Sequence, residues 1–190
     1  MKKETLDILD ATLRSKQNSY LSMDFDERYA IFSRKSVRID PKWSELKYHE
    51  INTSLLHWQK PFKYSDKPNL DLIISEDTIG LYVMYVQPQN TILDMPKYVM
   101  NVGIAGEDGS KRSLKDRLKD YFRLTQIKKR NNIHRFLKMY YENVYIAFSY
   151  FKGEYSELEE IEKKLHEFYY PLFNDRDFEP ETKAAKKAWN

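Results

Sequence analysis

Gly80-Leu81-Tyr82-Val83-Met84-Tyr85-Val86 and, after a polar interval, Tyr98-Val99-Met100-Asn101-Val102-Gly103-Ile104 are the stretches that decide the fold. Both runs are rich in β-branched and aromatic residues, which suit a pleated, half-buried surface. The interval from Gln87 to Lys97 holds Pro88 and Pro96, so the runs are expected to pair as an antiparallel hairpin with a long loop. Downstream, a polar loop from Gly106 to Arg112 leads into Ser113-Leu114-Lys115-Asp116. A hydroxyl cap with an acid three residues on predicts a helix starting at Leu114, with Leu114, Leu118 and Tyr121 on one face and Arg117 beside it. A second helical stretch near Ile133 to Tyr141 precedes a strand from Val144 to Phe151. The last helix, from about Glu157 to Tyr170, carries the stripe Leu158, Ile161, Leu165 and Phe168 and stops at Pro171. The order β, β, α, α, β, α predicts an α+β fold: a small mixed or antiparallel three-stranded central sheet flanked by helices.

Upstream the pattern weakens. Lys3 to Leu13 reads as a short amphipathic helix, Tyr29 to Phe32 as a strand and the surroundings of Trp43 to Trp58 as a helix, after which Pro61 and Pro68 interrupt any regular element. The chain is therefore expected to divide into an extension over 1–70, mixed or helical, a core over 71–177, and a polar tail over 178–190 that frays.

Composition narrows the chemistry. The 190 residues are 41% hydrophobic and 32% charged, with five glycines and seven prolines, as in a folded domain with one core and an elaboration. Without cysteine there is no disulfide, no thiol nucleophile and no cysteine-ligated zinc. The four histidines, His49, His57, His134 and His166, form no ligand pattern and are read as structural or exposed. No run of 18 apolar residues and no apolar leader occurs, so the expectation is no membrane partner and a cytoplasmic location. The net charge of +3 hides two blocks. Lys111 to Lys138 holds eleven Lys or Arg against two Asp, and Glu154 to Glu181 holds ten acids against three bases. A basic stretch interleaved with Tyr121, Phe122 and Phe136 suits a polyanion, although a solvated helical face is the commoner meaning of such charge.

Four separated pieces stand in an order that resembles the GIY-YIG nuclease family over about 71–175. They are Gly80-Leu81-Tyr82 opening a strand, Asn101-Val102-Gly103 ending the next, Leu114-x-x-Arg117 at a helix start, and Glu162-x-x-Leu165 followed by Pro171 and Asn174. Asn101 stands where the family has a tyrosine, and Tyr121 where it frequently has a histidine. The resemblance implies an enzyme, a metal-dependent endonuclease hydrolysing DNA phosphodiester bonds with Mg2+ or Mn2+. Tyr82 would be the general base or the phenol that orients water. A free tyrosine titrates near ~10, so a base role needs a neighbouring cation, which Arg117 can supply. Arg117 would stabilise charge on the scissile phosphate, and its fork of donors suits phosphate oxygens. Glu162 would hold the metal, since a hard ion prefers carboxylate oxygen and keeps several waters. Along its helix it flanks the apolar stripe, whereas Glu159, Glu160 and Glu167 are expected nearer solvent. Asn101 and Tyr121 would support by hydrogen bonding. Lys111, Arg112, Lys115, Lys119 and Arg123 would contact backbone phosphates, positioning the DNA rather than reading it. Gly80, Gly103 and Asn174 complete the motif as structural residues, and 1–70 would wrap the core or contact DNA. A homodimer is compatible with cutting both strands.

Each residue alone has a plainer reading: a strand tyrosine usually packs, a helix-face arginine or glutamate usually pairs with a neighbour. Order and spacing carry the case. The alternative is a weak or inactive relative that keeps the fold as a nucleic-acid-binding or protein-interaction module.

Overall fold

The structure, a computed structural model, describes residues 47–75, 78–88, 97–106, 112–171, 173–174, 178, 180 and 182. Readings that fall on 1–46, among them the helix at Lys3 to Leu13 and the strand at Tyr29 to Phe32, lie outside the described residues, as does Lys111.

The two apolar runs form strands β3 (Gly80–Val86) and β4 (Tyr98–Ala105), paired antiparallel. β5 (Val144–Phe151) pairs antiparallel with the other side of β3. The three expected strands are present, but the sheet has five. β1 (Leu56–Trp58) and β2 (Phe62–Lys63) both pair with β5, giving the order β1-β5-β3-β4 with β2 also on β5. The helix expected around Trp43 to Trp58 is thus corrected: Leu56 to Trp58 is strand, because its backbone completes the open edge of β5. Between the two short strands Pro61 has no N–H to donate, which accounts for the break in that edge. All pairings are antiparallel, and the fold is α+β.

Helices lie on both faces. Side chains alternate along β3, so Leu81, Val83 and Tyr85 enter one core and Tyr82, Met84 and Val86 the other. The first core is closed by α5 (Tyr155–Tyr169) through Leu158, Ile161 and Leu165. A capping box of Glu154 and Glu157 starts this helix, and Tyr170 in the left-handed conformation followed by Pro171 ends it. The second core is closed by α1 (Leu70–Ile73), α2 (Leu114–Lys119), a 3-10 turn (Asp120–Phe122), α3 (Leu124–Ile127) and α4 (Asn131–Met139). Ser113 caps α2 as the sequence predicts, accepting from the Asp116 amide at 3.2 Å. The Leu114 amide donates to the Thr78 carbonyl at 2.9 Å, which ties the start of α2 to the entry of β3.

The edge at β4 is covered rather than left open. Asn174 turns its amide on Val102, accepting from its N–H and donating to its carbonyl, both at 2.9 Å, and Phe173 donates to the Met100 carbonyl at 3.0 Å. A side-chain amide thereby completes the hydrogen bonding of an exposed strand. Of the expected tail over 178–190 the structure describes only residues 178, 180 and 182. Phe178 is buried against His166 and Tyr170, and Thr182 is buried and donates to Glu167. Glu167, expected nearer solvent, is buried, with Thr182 against its carboxylate.

A phenol and guanidinium cluster as candidate active site

Tyr82 and Tyr121 are 39 residues apart in sequence, and their hydroxyls are 2.6 Å apart in a buried hydrogen bond. The Nε of Arg117 donates to the same Tyr82 hydroxyl at 3.2 Å. Three elements create this meeting. Strand β3 aims Tyr82 toward the helical layer; α2 presents Arg117 one turn after its cap; and the 3-10 turn at the end of α2 swings Tyr121 inward, the two rings meeting edge to face at 5.6 Å.

Glycine is required beneath the phenol. Gly103 is the cross-strand partner of Tyr82, and a Cβ there would lie 2.3 Å from the Tyr82 hydroxyl oxygen. Gly80 allows close approach at the strand's start, where a Cβ would stand 2.3 Å from the Ser149 carbonyl oxygen. Asn101 pairs with Met84 next to a register shift, so it stands on the Tyr82 side of the sheet, and it is buried.

Tyr82 and Tyr121 are both buried, and Arg117 is half-buried, the outermost member of the group. Burial pushes the Tyr121 phenol well above its ordinary value; the adjoining Tyr82 adds to the shift and Arg117 opposes it. Tyr121 therefore keeps its proton at neutral pH. Tyr64, on the 3-10 turn that follows β2, donates to the Tyr121 carbonyl at 2.8 Å and stacks on Phe122 at 4.9 Å, fixing the turn that carries Tyr121.

Glu162 comes from the other side of the sheet. It is half-buried on α5, the helix that packs on the Leu81 and Val83 face. One turn further along, His166 reaches the Val102 carbonyl at 3.5 Å, so this side of α5 leans toward the β4 edge, the edge toward which the ring of Tyr82 also lies over Gly103. Glu159 and Glu160 are exposed.

The predicted phosphate contacts fall into two ion-pair groups. Lys119 and the buried Lys115 turn to Asp71 at 2.7 and 3.4 Å, and the Lys119 hydrogen bond holds the Asp71 carboxyl below its ordinary range. Arg112 and Arg123 turn to Asp120, whose side chain is 2% exposed, and Arg130 joins them. Arg130 also lies over the Tyr121 ring, 5.3 Å from its centroid.

Tyr64, Asp71, Asp120 and Arg130 were not singled out by sequence reasoning. Tyr64 sits in a stretch without periodicity, and nothing local marks it. Asp120 had a signal: with Asp116 it is one of two acids in the run of eleven cations. The chain matches no protein-family model, no curated protein and no solved structure.

Proposed function

We propose that the chain is a metal-dependent endonuclease of GIY-YIG type that hydrolyses DNA phosphodiester bonds. The observation that carries this reading is the meeting of Tyr82, Arg117 and Tyr121 at one hydroxyl from three separate elements. Packing alone does not call for a guanidinium on a buried phenol, since burying polar groups is costly unless they are used or fully paired. The scissile phosphate would meet Arg117 first. As the guanidinium turns outward onto the phosphate oxygens, it uncovers the Tyr82 oxygen. Tyr121, held protonated by burial, can donate to that oxygen, and Tyr82 would then orient the attacking water, whose proton passes to solvent. Arg117 then faces the charge that builds on the phosphorus oxygens.

Glu162, half-buried on α5, would be the carboxylate that holds Mg2+ or Mn2+. Among the described residues no group of three or more His, Asp or Glu gathers, so such an ion would complete its shell with water and substrate oxygens, as Mg2+ ordinarily does. Bound there, it would supply further neutralisation of phosphate charge. Asn101 supports the site by hydrogen bonding from the same face of the sheet.

The test is nicking of supercoiled plasmid with and without Mg2+ or Mn2+ by the unmodified chain, Arg117→Ala and Glu162→Ala. The reading expects cleavage that needs the metal and both side chains. The complete burial of Tyr82 favours a second reading, an inactive relative that binds nucleic acid through its basic surface. DNA bound yet intact across several metals would establish that one instead.

A further inference from the structure

The buried carboxylate of Asp120 lies at the end of α2 beneath three arginines that arrive from different places. Arg112 precedes the α2 cap, Arg123 follows the 3-10 turn, and Arg130 precedes α4. Arg112 is in direct ion-pair contact with Asp120. Arg123 Nη1 and Arg130 Nη2 stop at 3.8 and 3.9 Å from its oxygens, beyond hydrogen-bond distance. Their attraction to Asp120 is Coulombic, and their donors are not spent on it. Among the described residues three guanidiniums surround this one carboxylate. The side chains of Arg123 and Arg130 are 56% and 25% exposed, against 2% for Asp120, so the acid sits below and the cations open to solvent. The buried acid thus gathers and orients the cations above it. The arrangement adjoins the candidate active site, because Arg130 lies over Tyr121, whose hydroxyl touches Tyr82.

We propose that Asp120 organises Arg112, Arg123 and Arg130 into a cradle for a DNA backbone phosphate neighbouring the one that Arg117 addresses. The ligand is a phosphodiester anion carried by DNA, met by planar guanidinium forks rather than by flexible lysines, which fixes the strand's position beside Tyr82. The inference rests on the nuclease reading for its choice of DNA, but it concerns binding and not cleavage. Asp120 and Arg130 are positioning and binding residues here, with no part in the chemical step.

The experiment is equilibrium binding of a fluorescent 20-base-pair duplex without divalent metal, as a function of salt, for the full chain and its Arg123→Gln, Arg130→Gln and Arg130→Lys variants. Losing one phosphate contact should reduce the slope of log affinity against log salt by about 0.9 and weaken binding on the order of five- to tenfold at ~0.1 M salt. Arg123→Gln and Arg130→Gln should each show this, while Arg130→Lys keeps the slope. Lys163→Gln, on the exposed side of α5, should leave it unchanged. Arg123 is mostly exposed, so its variant reports on binding even if Arg130→Gln loses stability. Unchanged slopes in both Gln variants, or no duplex binding by the unmodified chain, would overturn the cradle. Altered slopes in a protein that never nicks plasmid would keep the cradle and remove the nuclease.

Discussion

The two faces of the sheet are built from the same strands and do different work. On the α5 face, Leu81, Val83, Val102 and Ile104 meet Leu158, Ile161 and Leu165, a largely aliphatic contact. On the opposite face the middle of the strands carries Tyr82 and Asn101, and the covering layer answers with Tyr121, Arg117 and Tyr64. One face stabilises by removing apolar surface from water. The other spends part of its core on polar groups that must be hydrogen-bonded to be tolerated. The alternation of a strand makes this division available at no extra length: Leu81 and Tyr82 are adjacent in sequence and serve opposite sides.

The contrast is sharpest in stability for Leu158→Ala. It empties space in the aliphatic core and should cost about 2–5 kcal/mol, read from the urea midpoint. A loss well under ~1 kcal/mol would mean that α5 is not what closes that face. Gly103→Ala should cost less, about 1–3 kcal/mol, because the new methyl displaces the tip of one ring. Its effect on plasmid nicking should nevertheless be larger than that of any aliphatic truncation of equal cost. Retained nicking in Gly103→Ala would break the link between the phenol's position and function.

The smallest effect is alkaline. Burial raises the phenols of both Tyr121 and Tyr64, so the folded chain holds these protons more tightly than the unfolded one. Their contribution is intact below the ordinary tyrosine value near 10 and is lost as pH rises beyond it. Stability should decline above about pH 10, and Tyr121→Phe should make that decline shallower by up to ~1.4 kcal/mol per pH unit. Urea midpoints at about pH 8 and pH 11 measure it. An equal decline in both proteins would show that Tyr121 is not shielded from water.

Much of the core was legible before any coordinates. The strands Gly80–Val86 and Val144–Phe151 lie within their apolar runs, and the start of α2 lies where Ser113 and Asp116 place it, since caps and periodicity act over a few residues. The site was legible in part. Tyr82, Arg117 and Tyr121 were named through the family resemblance that their order suggests, but their hydrogen bonds depend on the turn after α2 and on the glycine under the ring. The cations of the basic run could be counted, yet their sharing between Asp71 and Asp120 could not, because Asp71 is 48 residues from Lys119.

By itself the sequence determined the order of the longer elements from Gly80 to Tyr169, the apolar stripe of α5 and the absence of thiol chemistry, all of which follow from residue type and short-range spacing. Tertiary structure alone decided that residues near 60 join the sheet, that Asn174 seals the β4 edge, that Glu167 lies under Thr182, and that Asp120 is buried beneath three arginines. The first two depend on partners distant along the chain, and the last two on how turns fold nearer neighbours together. Whether an edge is covered or a charge is desolvated is a property of the packed neighbours, which no local window contains.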